Sequence, residues 1–301
     1  MTAKTDSTTI IILKQAKPKT SKSLWNHAFH TIISDKLACT SLIIVLVYFL
    51  IALLTFLGVI ASDWGAQIGP SYAPPSADYI FGTDIFGRSV FWKMIKGTET
   101  AVAIGLATSF IALIIGTSLG AISGYFGGLV DEFIVWFYNT FSSIPFIMLL
   151  VAIAFIMGKG TTTVFISLGV TSWVGLCRIV RGEVMKHKDR EYSQAASALG
   201  AGHFRKIFKH ILPNISHVLI INFSLTFEAA IKSEVILSYL GLGVQGRPSL
   251  GTMIDDSKLE LARGVWWQLA AATLAMFIIV LAFNILGDAL RDALDPKLKG
   301  K

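Results

Sequence analysis

His203, His210 and His217 recur every seven residues, a stripe that could hold a metal ion if the three rings converged. They lie in or beside a stretch rich in Lys and Arg, where solvated or partner-contacting roles suit them better. Gly241-Leu242-Gly243-Val244-Gln245-Gly246 satisfies the G-x-G-x-x-G spacing of a dinucleotide turn. It follows a long apolar run and sits in no strand-turn-helix unit, so that chemistry is not expected. Gly158-Lys159-Gly160-Thr161 lacks the leading glycine and the Lys-Ser/Thr pairing of a phosphate-cradling loop, so any ATP must be handled by another chain. No Ser/His/Asp or metal constellation converges within the apolar runs. Cys39 and Cys177 lie in or beside them and read as small buried hydrophobes. What remains is a charge pair, Glu228 and Lys232, set four residues apart inside an apolar run. A charge there costs about 2.5 to 3.5 kcal/mol on insertion scales and marks either a pathway or a mutually neutralised pair.

Composition says what must position these residues. Hydrophobic residues make up 53% and charged residues only 15%, with a mean hydropathy of +0.65, against about 25% charged in soluble chains. Crossing ~30 Å of hydrocarbon takes ~20 apolar residues. Six runs qualify, over residues 37–61, 100–124, 133–157, 163–176, 215–240 and 266–286. The fourth is the shortest, because Arg178 closes its uncharged core. Placing the amino terminus inside gives eighteen inner Lys and Arg, in residues 1–36, 178–209 and beyond Leu290, against seven outside. That asymmetry predicts both termini in the cytoplasm and reads the basic stretch around Lys186 as a positive-inside loop, not a nucleic-acid patch. The first run is too long for a cleaved signal and follows a 36-residue leader, so it is expected to anchor. Within that leader, Trp25, Phe29, Ile32 and Ile33 recur at helical spacing, which suits a helix lying in the interface plane.

The basic loop carries the most specific pattern. Ala195, Ala196, Leu199, Phe204, Ile207, Phe208 and Ile211 recur at three- and four-residue intervals and predict two short helices broken at Gly200-Ala201-Gly202. Small side chains on the first permit close approach by a partner, and glycine permits the tight turn. Gln194-Ala195-Ala196-Ser197-Ala198-Leu199-Gly200, then nine residues, then His210-Ile211-Leu212-Pro213 resembles the "E-A-A, three residues, Gly, nine residues, I-x-L-P" coupling loop of ABC importer permeases. Gln194 stands where that family often has Glu, and Glu191, one turn earlier, is placed to take over part of its role.

Three further segments are similar to the C-type permease subunits of dipeptide, oligopeptide and nickel importers. They are 81–88 (FGTDIFGR), 237–243 (LSYLGLG) and 283–296 (FNILGDALRDALDP). The chain is identified as a member of that group over nearly its whole length from Trp25. The resemblance implies an all-α integral membrane fold of six transmembrane helices with a cytoplasmic coupling-helix loop, the type I ABC importer permease fold. It divides the chain into a leader (1–36), a first transmembrane helix (37–61), an external loop (62–99), a core permease domain (100–290, coupling loop 178–213) and a tail (291–301). Glu191, Gln194, Ala195, Ala196, Leu199, Gly200, Leu212 and Pro213 would then couple to an ATPase. The chain itself would be non-catalytic and hold no cofactor, ATP and Mg being bound by partner ATPase subunits. Its partners would be a homologous B-type permease subunit, two cytoplasmic ABC ATPase subunits, a periplasmic or lipid-anchored substrate-binding protein, and membrane lipid in the bacterial inner membrane.

Within that frame Thr83 or Asp84 is expected to cap a short external helix bearing Phe86, Val90, Met94 and Ile95 as an apolar stripe. Gly116, Gly120 and Gly124 form a ridge for close helix packing. Asp288, Arg291, Asp292 and Asp295 have the spacing of ion pairs and are expected to tie the cytoplasmic end. Pro145 should kink the third span. The sequence departs from the group's pattern at Trp136 and Asn139, where an Arg and an Asp are common, and at Glu228 and Lys232, where small or apolar residues are; Glu234 matches its usual Glu. This relocation predicts a translocation path lined by Asn139, Pro145, Glu228, Lys232 and Glu234. A nickel or metal-chelate importer is the nearest alternative reading, and an ion-coupled secondary transporter the alternative of another class, though internal repeats and a midplane ion site are not seen.

Overall fold

Asp35 caps the first long helix, its carboxylate accepting from the Leu37 amide at 2.8 Å. The apolar run behind it forms α1, Lys36–Phe56. The structure is a computed structural model describing residues 32–294. Trp25, Phe29, most of the leader, and Asp295 with the rest of the tail lie outside the described residues.

After α1, residues 57–89 run as turns with two isolated bridges, Gln67 to Arg88 and Thr83 to Ser89. Helix α2, Val90–Phe126, is 37 residues long, well beyond what the bilayer needs, and Ser89 caps it by accepting from Trp92. The short external helix expected after Thr83 or Asp84 is therefore absent. Val90 and Met94 belong to the first turns of α2, and Asp84 instead closes the preceding turn, accepting from the Phe86 and Arg88 amides at 2.9 and 3.0 Å. Next come α3, Gly128–Ser142, and α4, Phe146–Met157, which meet at 86° across a break that ends in Pro145. Proline has no amide hydrogen to continue the helical ladder and pushes its predecessor out of helical geometry, so the chain turns there.

Helices α5, Thr161–Thr171, and α6, Trp173–Lys188, form one apolar path of 28 residues. The sequence marks its end near Arg178, yet the helix carries on because its arginines have partners. Arg178 donates to Ser142 Oγ at 3.1 Å and Asn139 Oδ1 at 3.3 Å and lies over the Tyr138 ring. Arg181 grips Asp131 with both nitrogens at 2.6 Å, and Asp131 also accepts from Ser123. A forked guanidinium on a carboxylate satisfies charges that would otherwise expel the helix from an apolar setting.

Beyond a hairpin containing α7, Glu191–Ala198, the chain enters α8, Ser216–Tyr239, then α9, Leu250–Leu261, and α10, Trp267–Leu294. Among the described residues, four helices are long and apolar enough to cross a membrane, or up to six paths if each bent pair is one span. The glycine ridge of α2 packs inside the chain, against α6. A Cβ at Gly116, Gly120 or Gly124 would lie 2.9, 2.6 or 2.5 Å from the carbonyl oxygens of Trp173, Cys177 or Arg181. A second seam joins α1, α2, α8 and α10 through Phe227, Phe283 and Phe49, with Phe227 and Phe283 stacked at 4.0 Å between centroids. Phe227 fits only because Gly105 offers no side chain, a Cβ there falling 2.5 Å from its ring.

Candidate functional site

The hairpin between α6 and α8 is built from its helix ends. Helix α7 stops in a Schellman arrangement: Gly200 N donates to Ser197 O at 3.0 Å and Ala201 N to Ala196 O at 2.9 Å. Gly200 takes φ +80°, a left-handed conformation that side-chain-bearing residues avoid. After Gly202 the chain resumes as a helical turn, His203–Arg205, then a π-helical stretch, Lys206–Ile211, and Leu212–Asn214. Its wider winding keeps Ile207, Ile211 and Ile215 on one buried face against Leu176, Val180 and Val184. Hydrogen bonds from Lys206 to Ser197 Oγ at 2.9 Å and between Tyr125 and His203 at 3.0 Å fasten the hairpin to itself and to α2.

The opposite face is open and apolar. Leu199, Phe204 and Phe208 are 89%, 69% and 65% exposed. Of the small residues, Ala196 is buried against the chain and Ala195 is exposed beside Glu191 and Gln194. Gln194 donates to the Asp189 carbonyl at 3.1 Å. Leu212 is half-buried and Pro213 exposed where the hairpin bends 68° into α8.

Within the membrane-spanning part, Lys232 Nζ reaches Glu228 Oε1 at 2.6 Å, and Asn284 donates to Glu228 Oε2 at 3.3 Å. The carboxylate is buried at 8% exposure and thereby locked between α8 and α10, while the ammonium is 51% exposed. Lys232 lies on an exposed stripe of α8 with Leu225, Ala229, Ile236 and Tyr239. Glu234 faces the other way. Its carboxylate accepts from Ser249 Oγ at 2.6 Å and Ser238 Oγ at 2.7 Å, and a Cβ on Gly251 would collide with it. It knots α8 to α9. Asn139 is occupied by Arg178, and Pro145 borders a recess shared with Phe141, Leu149 and Arg178. Among the described residues, Asp288, Arg291 and Asp292 form no ion pair with one another. His203, His210 and His217 form no metal-binding group with other described residues.

One assembly escaped sequence reasoning, a charge knot between the 62–89 segment, α2, α9 and α10. Lys93 is almost wholly buried and donates to Gln268 at 2.9 Å, Asp84 at 3.2 Å and Asp256 at 3.3 Å. Arg88 holds the same Asp84 at 2.6 Å. The local signal is the spacing of Asp84, Arg88 and Lys93; the remaining partners, Asp256 and Gln268, are more than 160 positions from Lys93.

These features define a class. The all-helical, multi-pass chain with its hairpin between α6 and α8 has the fold of an ABC importer permease. A solved structure titled "Inward facing conformations of the MetNI methionine ABC transporter" matches it with a TM-score of 0.55 at 20% identity, covering 68% of this chain and 98% of that one. The family described as "Binding-protein-dependent transport system inner membrane component" matches residues 116–300, and the chain belongs to it. The dipeptide transport system permease protein DppC of Bacillus subtilis is 36% identical over 280 residues, 93% of this chain and 88% of the relative. The oligopeptide transport system permease protein OppC of the same organism is 36% identical over 282 residues, 93% and 92% of the two chains. The glutathione transport system permease protein GsiD of Pectobacterium atrosepticum is 35% identical over 226 residues, 75% of each.

Proposed function

We propose that this chain is the membrane-spanning permease subunit of an ATP-driven importer of di- or oligopeptides, receiving its solute from an external binding protein. The observation that carries the reading is 36% identity, across 93% of the chain, to permeases named for dipeptide and oligopeptide transport. The hairpin supports it independently. Leu199, Phe204 and Phe208 display an apolar face outside the membrane-spanning helices, a surface stabilised by a partner. An ATPase subunit is the partner that ATP-driven import requires, with Glu191, Gln194, Ala195, Ala196, Leu199, Gly200, Leu212 and Pro213 at or beside the contact. Closure of the ATPases would then tilt the membrane helices as rigid bodies through α7 and the π-helical stretch.

The complete importer pairs this chain with a homologous B-type permease, two ATPase subunits and a periplasmic or lipid-anchored binding protein. This chain makes and breaks no bonds; ATP and Mg belong to the ATPases. The Lys and Arg distribution supports both termini in the cytoplasm of a bacterial cell, with the hairpin on the same side. Glu228 and Lys232 border the path. Purification of the tagged chain from its membranes should bring down an ATP-hydrolysing subunit and a second permease. Reconstituted with the binding protein, the assembly should take up labelled dipeptide only with ATP, and unlabelled peptide, not a nickel chelate, should compete. A purified assembly without any ATPase would overturn the reading.

A further inference from the structure

A cavity of about 370 Å³ opens where the loop after α8, the start of α9 and the 62–89 segment meet. Its wall carries Arg88, Lys93, Arg247, Asp255 and Asp256, with Trp64 at the rim and the glycine-rich turn 241–246 presenting bare backbone. Among the described residues, two atoms of this wall are buried without a hydrogen-bond partner, Arg247 Nε and Asp255 Oδ1, and of the two only Asp255 has a close ion pair. Arg88 and Lys93 share Asp84, Asp256 is held by Lys93 at 3.3 Å, and Asp255 by Lys258. Among the described residues Arg247 pairs only with Glu99, at 3.8 Å, and Glu99 is already gripped by Lys96 at 2.5 Å. The Arg247 Nε is buried and donates to nothing. A guanidinium has the planar fork that receives a carboxylate with two parallel hydrogen bonds, and the Arg247 side chain is 31% exposed, so part of that fork is open to the cavity.

We propose that this cavity is a carboxylate-binding staging site on the permease, in which Arg247 receives the terminal carboxylate of a peptide before it enters the membrane-spanning path. The inference rests on the peptide-importer reading and deepens it. The glycine-rich turn lets a main chain approach closely, and the matched acids leave Arg247 as the wall's unspent positive charge. Both features suit the carboxyl end of an extended peptide.

The test uses the whole permease-ATPase complex in nanodiscs, without binding protein, and titrates a dipeptide and its C-terminal amide by calorimetry. The dipeptide should bind, and amidation should weaken it about tenfold or more, the loss expected when a charged, two-pronged contact is removed. Arg247→Gln should weaken the dipeptide by a similar factor, leave the amide unaffected, and so erase the discrimination. Arg247→Lys should fall between. The thermal melting midpoint of the Arg247→Gln complex and its co-purification with the ATPase should match the parent, which certifies that the variant is folded. Undiminished dipeptide binding by Arg247→Gln overturns the proposal, as does an equal loss for both ligands. Intact peptide binding with lost stimulation of ATP hydrolysis by the binding protein would assign Arg247 to an acidic side chain of the docking protein and overturn it too. A parent complex that imports peptides yet binds none in this titration sinks the staging site alone. A parent complex that imports no peptide sinks the importer reading beneath it.

Discussion

At Asp84 a single carboxylate closes its own turn, pairs with both Arg88 and Lys93, and thereby fastens the 62–89 segment to α2. Burial pushes this carboxyl up, but the hydrogen bond from Arg88 and the charge of Lys93 reverse that, and it ends below its ordinary range. A group depressed on folding stabilises the fold above its unfolded value, about 3.9, and that contribution is lost as pH falls through the folded value. Thermal melting of the purified complex should therefore be insensitive to Asp84 from neutral pH down to about 4 and sensitive below it. Asp84→Asn should lower stability at pH 7 by about 3 kcal/mol, the low end for a broken buried pair because Gln268 and Asp256 still serve Lys93. The difference from the parent should shrink in acid. Glu228 and Lys232 make the complementary case. Glu228→Gln strands an ammonium among apolar neighbours and should cost about 2.5 to 3.5 kcal/mol, whereas Glu228→Gln with Lys232→Gln should recover most of it. Uptake then separates the roles. If the pair borders the path, the stable double variant takes charged peptides in a different order of preference; an unchanged order would confine the pair to packing.

Among the elements, the contact between α2 and α6 has the least slack. Gly120→Ala puts a methyl group 2.6 Å from the Cys177 carbonyl, so the helices must separate. A loss of about 1 to 3 kcal/mol is expected, read as a lower melting midpoint of the complex. Gly182→Ala, on α6 with open space around it, should leave the midpoint unchanged or raise it through helix propensity. This ridge was legible in the sequence as three glycines four apart, because small residues on one helix face have few other uses. So were the apolar runs and the break at 200–202, which follow from composition and glycine chemistry. The full length of α6 was not, since a run of hydropathy ends at its first arginine and nothing local reveals that Asn139, Ser142 and Asp131 wait on α3. The π-helical winding of Lys206–Ile211 was equally hidden. It depends on the groove of α2 and α6 that Ile207 and Ile211 must fill, and an interval of four residues reads the same for either winding.

For the molecule as a whole, the proposed coupling would carry force from a soluble motor into the membrane helices by way of the hairpin. One end of that route is the exposed Leu199, Phe204 and Phe208; the other is Ile207, Ile211 and Ile215, wedged against α2 and α6. Gly200 sits where α7 turns into the second arm. Since nothing lies within 4 Å of a Cβ there, a substitution acts through the backbone alone. Holding a β-branched residue at φ +80° costs about 1 to 2 kcal/mol. That is enough to redirect a surface helix end and too little to unfold the membrane helices packed beneath it. Gly200→Val should therefore insert and pair with its partner permease at parental levels but lose ATP-driven uptake by about tenfold or more, the factor that 1.4 kcal/mol of misdirected docking represents. Gly200→Asn tolerates the left-handed conformation better and should keep most of the uptake. Basal ATP hydrolysis should survive in both, with its stimulation by loaded binding protein lost only in the valine variant. Parental uptake by Gly200→Val would mean that the turn is not part of the transmission and that coupling enters the membrane helices by another contact.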